Sequence, residues 1–506
     1  MSEESTGKNN LTFGKVVSGG FWMYLDTIVV SVIGYVYWFL IGTVGGPSII
    51  GFASATISLA AIIMTTISLG IPVGIQRFLG KAFGENNFAD LKKYFVSAFF
   101  LVFVVSSIVV SALFLVKSYF SLLLNIDDIY IILAGVLVFL NGLNTTLKSL
   151  FISILKIDKI FYIDTVATIA RLIGGLYLVF LGFGGIGATL GFVFAGATGI
   201  ILYGGYTIII FRKIRTYPFT VSFEAIRRVL EAGSVNWLPA MITTFGIQSG
   251  LLILFGNQGS YETGIYYISY AIFSVLVAFP NAFLALLFPI LSGLKQGHAV
   301  ATRRTLNLVL SASVPLAAIL ATYSSFVLGL MGPAYLSGWL LLSILALSVP
   351  LVCIVNGVTS LVYALGKYRQ VLGIGLAASI IRVILYFYLV PIYGSLGTAI
   401  SFDMGFVISF FVAVYYAKLS NLYFRWRDFG LTTSLPFGLG FLMWYFAVPW
   451  YLGGTIILAT SLFVFARAKL YTKADIRDIS VAILPGSIVK KIAPKAYPIL
   501  KFLFGE

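Results

Sequence analysis

Long, uninterrupted apolar runs limit this chain more than any other feature. A helix needs roughly 20 mostly apolar residues to cross a bilayer. Runs of that order recur about fourteen times between residues 14 and 467. They are continuous rather than alternating, which favours helices over the strands of a membrane barrel. Hydrophobic residues make up 60% of the 506 residues and charged ones 10%, against roughly 45–50% and 25% in soluble domains. Burial saturates as a domain grows, so no water-soluble fold hides that much apolar surface. The sequence therefore specifies an all-α polytopic membrane protein. Soluble enzymes and nucleic-acid-binding modules are excluded, and the net charge of +16 becomes a question of which membrane face carries it.

The loop charges answer that question. Connections after even-numbered runs carry Lys81, Lys92 and Lys93, then Lys156 and Lys159, Arg212, Lys213 and Arg215, and further pairs beyond. Connections after odd-numbered runs carry almost none, Lys117 being the exception. The positive-inside rule then puts both termini in the cytoplasm, and the chain is read as a multi-pass protein of the plasma membrane. The start, MSEESTGKNNLTFGK, does not look like a removed signal peptide, so the first run is read as a retained span. A single cysteine, Cys353, and a single histidine, His298, leave no ligand set for a cysteine cluster or a two-histidine zinc site. No metal or cofactor is expected.

The chain also repeats itself. LVFLGFGGIGATLGF around Gly184 matches LVPIYGSLGTAISF around Gly394, 210 residues on. Gly187 matches Gly397, ILKIDKI (154–160) matches ALGKYRQ (364–370), Arg171 matches Arg382, and Pro72 matches Pro280, all at offsets of 208 to 211. Six runs separate matched helices, an even number, so the copies run in the same direction, as parallel repeats do. The expected architecture is about 14 transmembrane helices. Two six-helix lobes related by a parallel pseudo-two-fold, 1–213 (spans 1–6) and 214–425 (spans 7–12), would enclose a substrate cleft. Two extra helices at 426–468 and a basic cytoplasmic tail at 469–506 would follow. The tail alternates apolar residues with lysines, which fits either a helix lying on an anionic leaflet or a solvated segment. Proline at 72, 239, 280 and 289 interrupts three runs and offers hinges.

Charge at mid-membrane costs roughly 2.5–3.5 kcal/mol and marks functional positions. Arg171 and Arg382 lie halfway along their runs, as does Asp26, and Lys148 is deeper than snorkelling explains. These four, with Arg77, Gln76, Asn144 and Asn281, form the candidate substrate-binding set; Asp164 and Asp403 are weaker candidates. The competing reading is that such residues only pair with one another, and Lys148 with Asp164 is the pair best placed to do so. The chain has no Walker A sequence and no large loop of the kind a membrane glycosyltransferase needs, so it is read as a transporter and not an enzyme.

With the repeat established, the sequence resembles the multidrug/oligosaccharidyl-lipid/polysaccharide exporter superfamily, and within it the polysaccharide transporter branch of Wzx-like flippases. The resemblance rests on GGFWMYLDTIVVSVIGY, GIPVGIQRFLGKAFGENNFADLKKYF, GFGGIGATLGF, ALGKYRQVLGIG and IYGSLGTAIS, and the tail TKADIRDISVAILP looks like archaeal members. It implies a flippase that moves a polyprenyl (undecaprenyl or dolichyl) phosphate- or pyrophosphate-linked oligosaccharide to the outer leaflet by alternating access. Its headgroup would sit among Arg171, Arg382, Lys148 and Arg77. Partners are then the lipid bilayer, an anionic lipid-linked glycan and glycan-assembly enzymes, with the protein itself a monomer. Asp26 departs from this pattern. It suits the alternative, a Na+- or H+-coupled multidrug or metabolite antiporter of the same superfamily.

Overall fold

The computed structural model describes residues 3–293 and 296–472. All regular structure among them is helical. Helices α1 (Glu3–Ile67), α2 (Ile71–Gly84), α3 (Phe88–Leu124), α4 (Asp128–Ser153), α5 (Ile157–Phe180) and α6 (Gly184–Lys213) come first. They are followed by α7 (Phe223–Gly293), α8 (His298–Thr322), α9 (Ser324–Gly329) and α10 (Trp339–Leu347). The last four are α11 (Val349–Ala364), α12 (Tyr368–Leu419), α13 (Trp426–Tyr445) and α14 (Trp450–Arg467). Ten helices among the described residues are long and apolar enough to cross a membrane. Large apolar side chains such as Leu115 and Leu122 of α3 stand fully outward, as lipid-facing residues do. The basic tail beyond residue 472, and the side chain of Pro289, lie outside the described residues.

Three of the long helices are broken by one glycine. Gly46 in α1 (φ 73°, ψ 179°), Gly259 in α7 (φ 78°, ψ −173°) and Gly394 in α12 (φ 54°, ψ −129°) leave helical geometry. A side chain is strained at such positive φ, and glycine is not. Each break therefore ends one helical segment and redirects the next.

The chain forms two compact units. One holds the described residues of Met1–Ile268 with Val383–Thr398, the other those of Ser269–Arg382 with Ala399–Glu506. In the first, α2, α3 and α4 close over a core that includes Ile75, Leu79, Phe95, Leu150 and Phe151. A second core cluster joins Leu59, Tyr130, Leu137 and Phe255. In the other unit, Phe465, Ala466, Leu470 and Tyr471 pack with Leu308, Leu431 and Leu435.

The internal repeat is visible in backbone detail. At the α4–α5 turn, Leu155 and Lys156 donate main-chain bonds to Ile152 and Phe151. At the α11–α12 turn, Gly366 and Lys367 donate to Tyr363 and Val362, all 211 residues on. Lys156 thus matches Lys367, one residue off the sequence alignment of these segments. A Cβ on Gly187 would come within 3.0 Å of Leu178, and one on Gly397 within 2.3 Å of Leu389. The same glycine thus lets the backbone close up in both copies. The segments 47–51 and 260–264, both in the first unit, meet reciprocally. A Cβ on Gly51 would lie 1.8 Å from the Ser260 oxygen, and one on Gly264 1.9 Å from that of Pro47. A contact in which i meets j′ and j meets i′ is the mark of a two-fold relation.

Candidate functional site

The first unit holds a cavity of about 320 Å³ among α1, α2, α4, α5 and α6. Helical spacing builds its walls. Asn141, Asn144, Thr145 and Lys148 recur every three or four residues on α4, and Asp164, Thr168 and Arg171 do the same on α5. Phe192, Gly196, Gly199 and Tyr203 continue the pattern on α6. One face of each helix is therefore turned to a common interior. Gln76 of α2 completes the polar lining. Close approach of α4 and α6 depends on glycine. Asn144 donates from Nδ2 to the Gly196 carbonyl at 2.8 Å, and a Cβ on Gly199 would come within 2.6 Å of the Asn144 side chain.

Four side chains form a connected group at one end. The Lys148 ammonium donates to the Asp164 carboxylate and lies 3.4 Å from Oδ2 of Asp26. The Tyr203 hydroxyl donates to Oδ1 of Asp164 at 2.7 Å. Asp26 is only 7% exposed. One ammonium set between two acids counters their mutual repulsion. The expected pairing of Lys148 with Asp164 is present, and Asp26 joins it. The half-buried Lys148 ammonium fills the space between the two acids.

Arg171 sits farther along α5. Its guanidinium stacks 4.7 Å from the Phe192 ring centroid and 5.2 Å from that of Tyr37. Its Nε is buried and donates to no acceptor among the described residues. Across the gap, a Cβ on Gly34 would be 3.1 Å from its Nη2. Arg171 is thus held by aromatic faces rather than by an acid, and a donor remains unspent.

The other expected residues are placed elsewhere. Arg382, in the second unit, is 1% exposed. Its Nε donates to the Phe402 carbonyl at 3.1 Å, and its guanidinium lies 4.5 Å and 4.3 Å from the Phe402 and Phe406 ring centroids. Phe192 and Phe402 are 210 residues apart, so each repeat sets its mid-span arginine over the matching phenylalanine. Arg77 is exposed, 5.9 Å from the Phe78 centroid, and is not part of the cavity lining. Asn281 accepts from Asn356 Nδ2 at 2.7 Å within the second unit. Sequence reasoning missed Tyr203, Thr168 and Phe192. The three-to-four-residue stripe from Phe192 to Tyr203 was the signal that would have found two of them. Among the described residues no group of three His, Cys, Asp or Glu side chains is placed to hold a metal ion.

The profile of a family described as Polysaccharide biosynthesis protein matches residues 57–340. The chain belongs to that family. No curated protein matches it. Its fold is shared with the lipid II flippase MurJ in an inward closed conformation, at a TM-score of 0.68 and 13% identity, covering 88% of this chain and 99% of that one. An inward-facing multidrug resistance MATE transporter of the MOP superfamily gives a TM-score of 0.60 at 12% identity, covering 79% of this chain and 98% of that one. A MOP superfamily transporter from Pyrococcus furiosus, described as having a binding pocket of reversed polarity, gives 0.56 at 15%, covering 80% and 95%. This family member therefore has the fold of the superfamily that its motifs resemble. Its long apolar helices make it a multi-pass membrane protein, and the solved structures that share its fold are described as a flippase and transporters.

Proposed function

We infer that the protein flips a polyprenyl phosphate- or pyrophosphate-linked oligosaccharide between leaflets by alternating access. The observation that carries this reading is the Arg171 guanidinium, lining a cavity with no acid beside it and with an uncommitted N–H. Arginine binds phosphate oxygens in a bidentate manner and stays charged when buried. The amides and hydroxyls of Gln76, Asn141, Asn144 and Thr145 line the same cavity and suit glycan hydroxyls. Arg382, held in the same arginine-over-phenylalanine arrangement within the second unit, is proposed as a substrate contact of that unit. The family's description points to polysaccharide assembly, and one relative of this fold is a lipid II flippase. About fourteen crossings, six-helix lobes at 1–213 and 214–425, cytoplasmic termini and residence in the plasma membrane belong to the same reading.

Reconstitution in vesicles with a short-chain polyprenyl-pyrophosphate sugar tests it. The sugar should become accessible from the opposite side with wild-type protein. No translocation, with cation-driven dye efflux instead, would replace this reading by the antiporter. The Asp26–Lys148–Asp164 group is what favours that second reading, because charged side chains inside a membrane bundle mark ion pathways. The lysine between the acids weighs against a bound sodium ion.

A further inference from the structure

A larger cavity lies away from the site just described. It has a volume of about 1210 Å³ and is bounded by α3, the ends of α4 and α6, and the connection after α6. Its walls combine apolar and basic side chains. Phe95, Phe99, Leu147 and Ile208 make one end apolar, while Lys92, Arg212 and Arg215 gather at the other. Ile208 is exposed, as is neighbouring Phe100, so this wall is open to the hydrocarbon side of α3 and α6.

The rim is built rather than loose. Lys92, 2% exposed, donates from Nζ to the Tyr217 carbonyl at 2.6 Å and lies 3.6 Å from the Phe219 ring centroid. Ser97 Oγ accepts from the Ser222 amide at 2.9 Å. Both contacts hold the 214–222 connection against α3. Arg212 and Arg215 are exposed at the mouth, and neither forms an ion pair among the described residues. Gly204 of α6 leaves the floor open, since a Cβ there would meet nothing within 4 Å. From Arg212 to Gly204 is about 12 Å along a helix rising 1.5 Å per residue, enough for a headgroup and the first part of a chain.

We propose that this groove binds an anionic glycerophospholipid of the surrounding bilayer, its phosphate on Arg212 and Arg215 and an acyl chain along Phe95, Phe99 and Ile208. Basic pockets between membrane helices at the interface recognise such headgroups. The aromatic wall supplies the apolar area that free phosphate could not use. The groove is separate from the cavity at Arg171, so the assignment stands or falls independently of what the protein transports.

Native mass spectrometry of the full-length protein in detergent, with phosphatidylglycerol or phosphatidylcholine added in turn, tests it. Wild type should retain phosphatidylglycerol in preference to phosphatidylcholine. Arg212→Gln with Arg215→Gln should weaken phosphatidylglycerol retention about thirtyfold, taking about 1 kcal/mol per interfacial cation. Gly204→Trp, whose Cβ meets nothing within 4 Å and whose indole would occupy the floor, should abolish it. Both variants alter exposed or open positions, and an unchanged melting temperature shows that they fold. Equal retention of the two lipids would overturn the proposal, as would unchanged binding in either variant. Displacement by an equimolar polyprenyl phosphate would assign the groove to the transported lipid and overturn it as well.

Discussion

Lys148 of α4 is hydrogen-bonded to Asp164 of α5, sixteen residues on, while its second acid, Asp26, stands off at 3.4 Å. The two acids should therefore not be equivalent. Asp164→Asn should destabilise the protein more than Asp26→Asn. Lys148→Met, which leaves two facing carboxylates uncompensated, should cost about 3–5 kcal/mol. Adding Asp164→Asn to Lys148→Met should recover part of that loss. Thermal unfolding of the four variants in one detergent measures the coupling, and simple additivity would contradict it.

Tyr203 reaches the same carboxylate from α6. Tyr203→Phe keeps the ring against Phe151 but removes the hydroxyl bonded to Asp164. A hydrogen bond to a charged group is worth about 1.5–3 kcal/mol, and a loss in that range is expected from the same unfolding assay.

The arginines make a functional prediction. Arg171→Ala combined with Arg382→Ala should abolish flipping of a polyprenyl-pyrophosphate sugar in vesicles while leaving expression intact. Arg171→Lys should restore little, because an ammonium neither stacks as a plane on Phe192 nor offers a bidentate fork. Normal flipping by the double alanine variant would remove both from the transport site.

Glycine contacts predict a graded series. Gly51→Ala and Gly264→Ala put a methyl group within 2 Å of a carbonyl oxygen and should exceed the usual overpacking cost of about 1–3 kcal/mol. Gly397→Ala, at 2.3 Å from a main-chain oxygen, should cost more than Gly187→Ala, at 3.0 Å. Gly205→Ala, in open space, should be nearly silent. The yield of folded protein after size exclusion ranks them.

Membrane class, helical architecture and the repeat were fixed by residues alone. Apolar length and direct repetition are one-dimensional properties, and each survives folding unchanged. The pairing of Lys148 with Asp164 was also legible, since adjacent spans at similar depth leave an intramembrane lysine few other acids. Folding decided which faces meet. Asp26 joins that pair from a helix 122 residues away, and Tyr203 enters from α6. Arg77, polar and one residue from the cavity-lining Gln76, turns outward instead, because neighbours on a helix point about 100° apart. No linear pattern could assign these roles, because desolvation and hydrogen bonding depend on which side chains three-dimensional packing brings within reach.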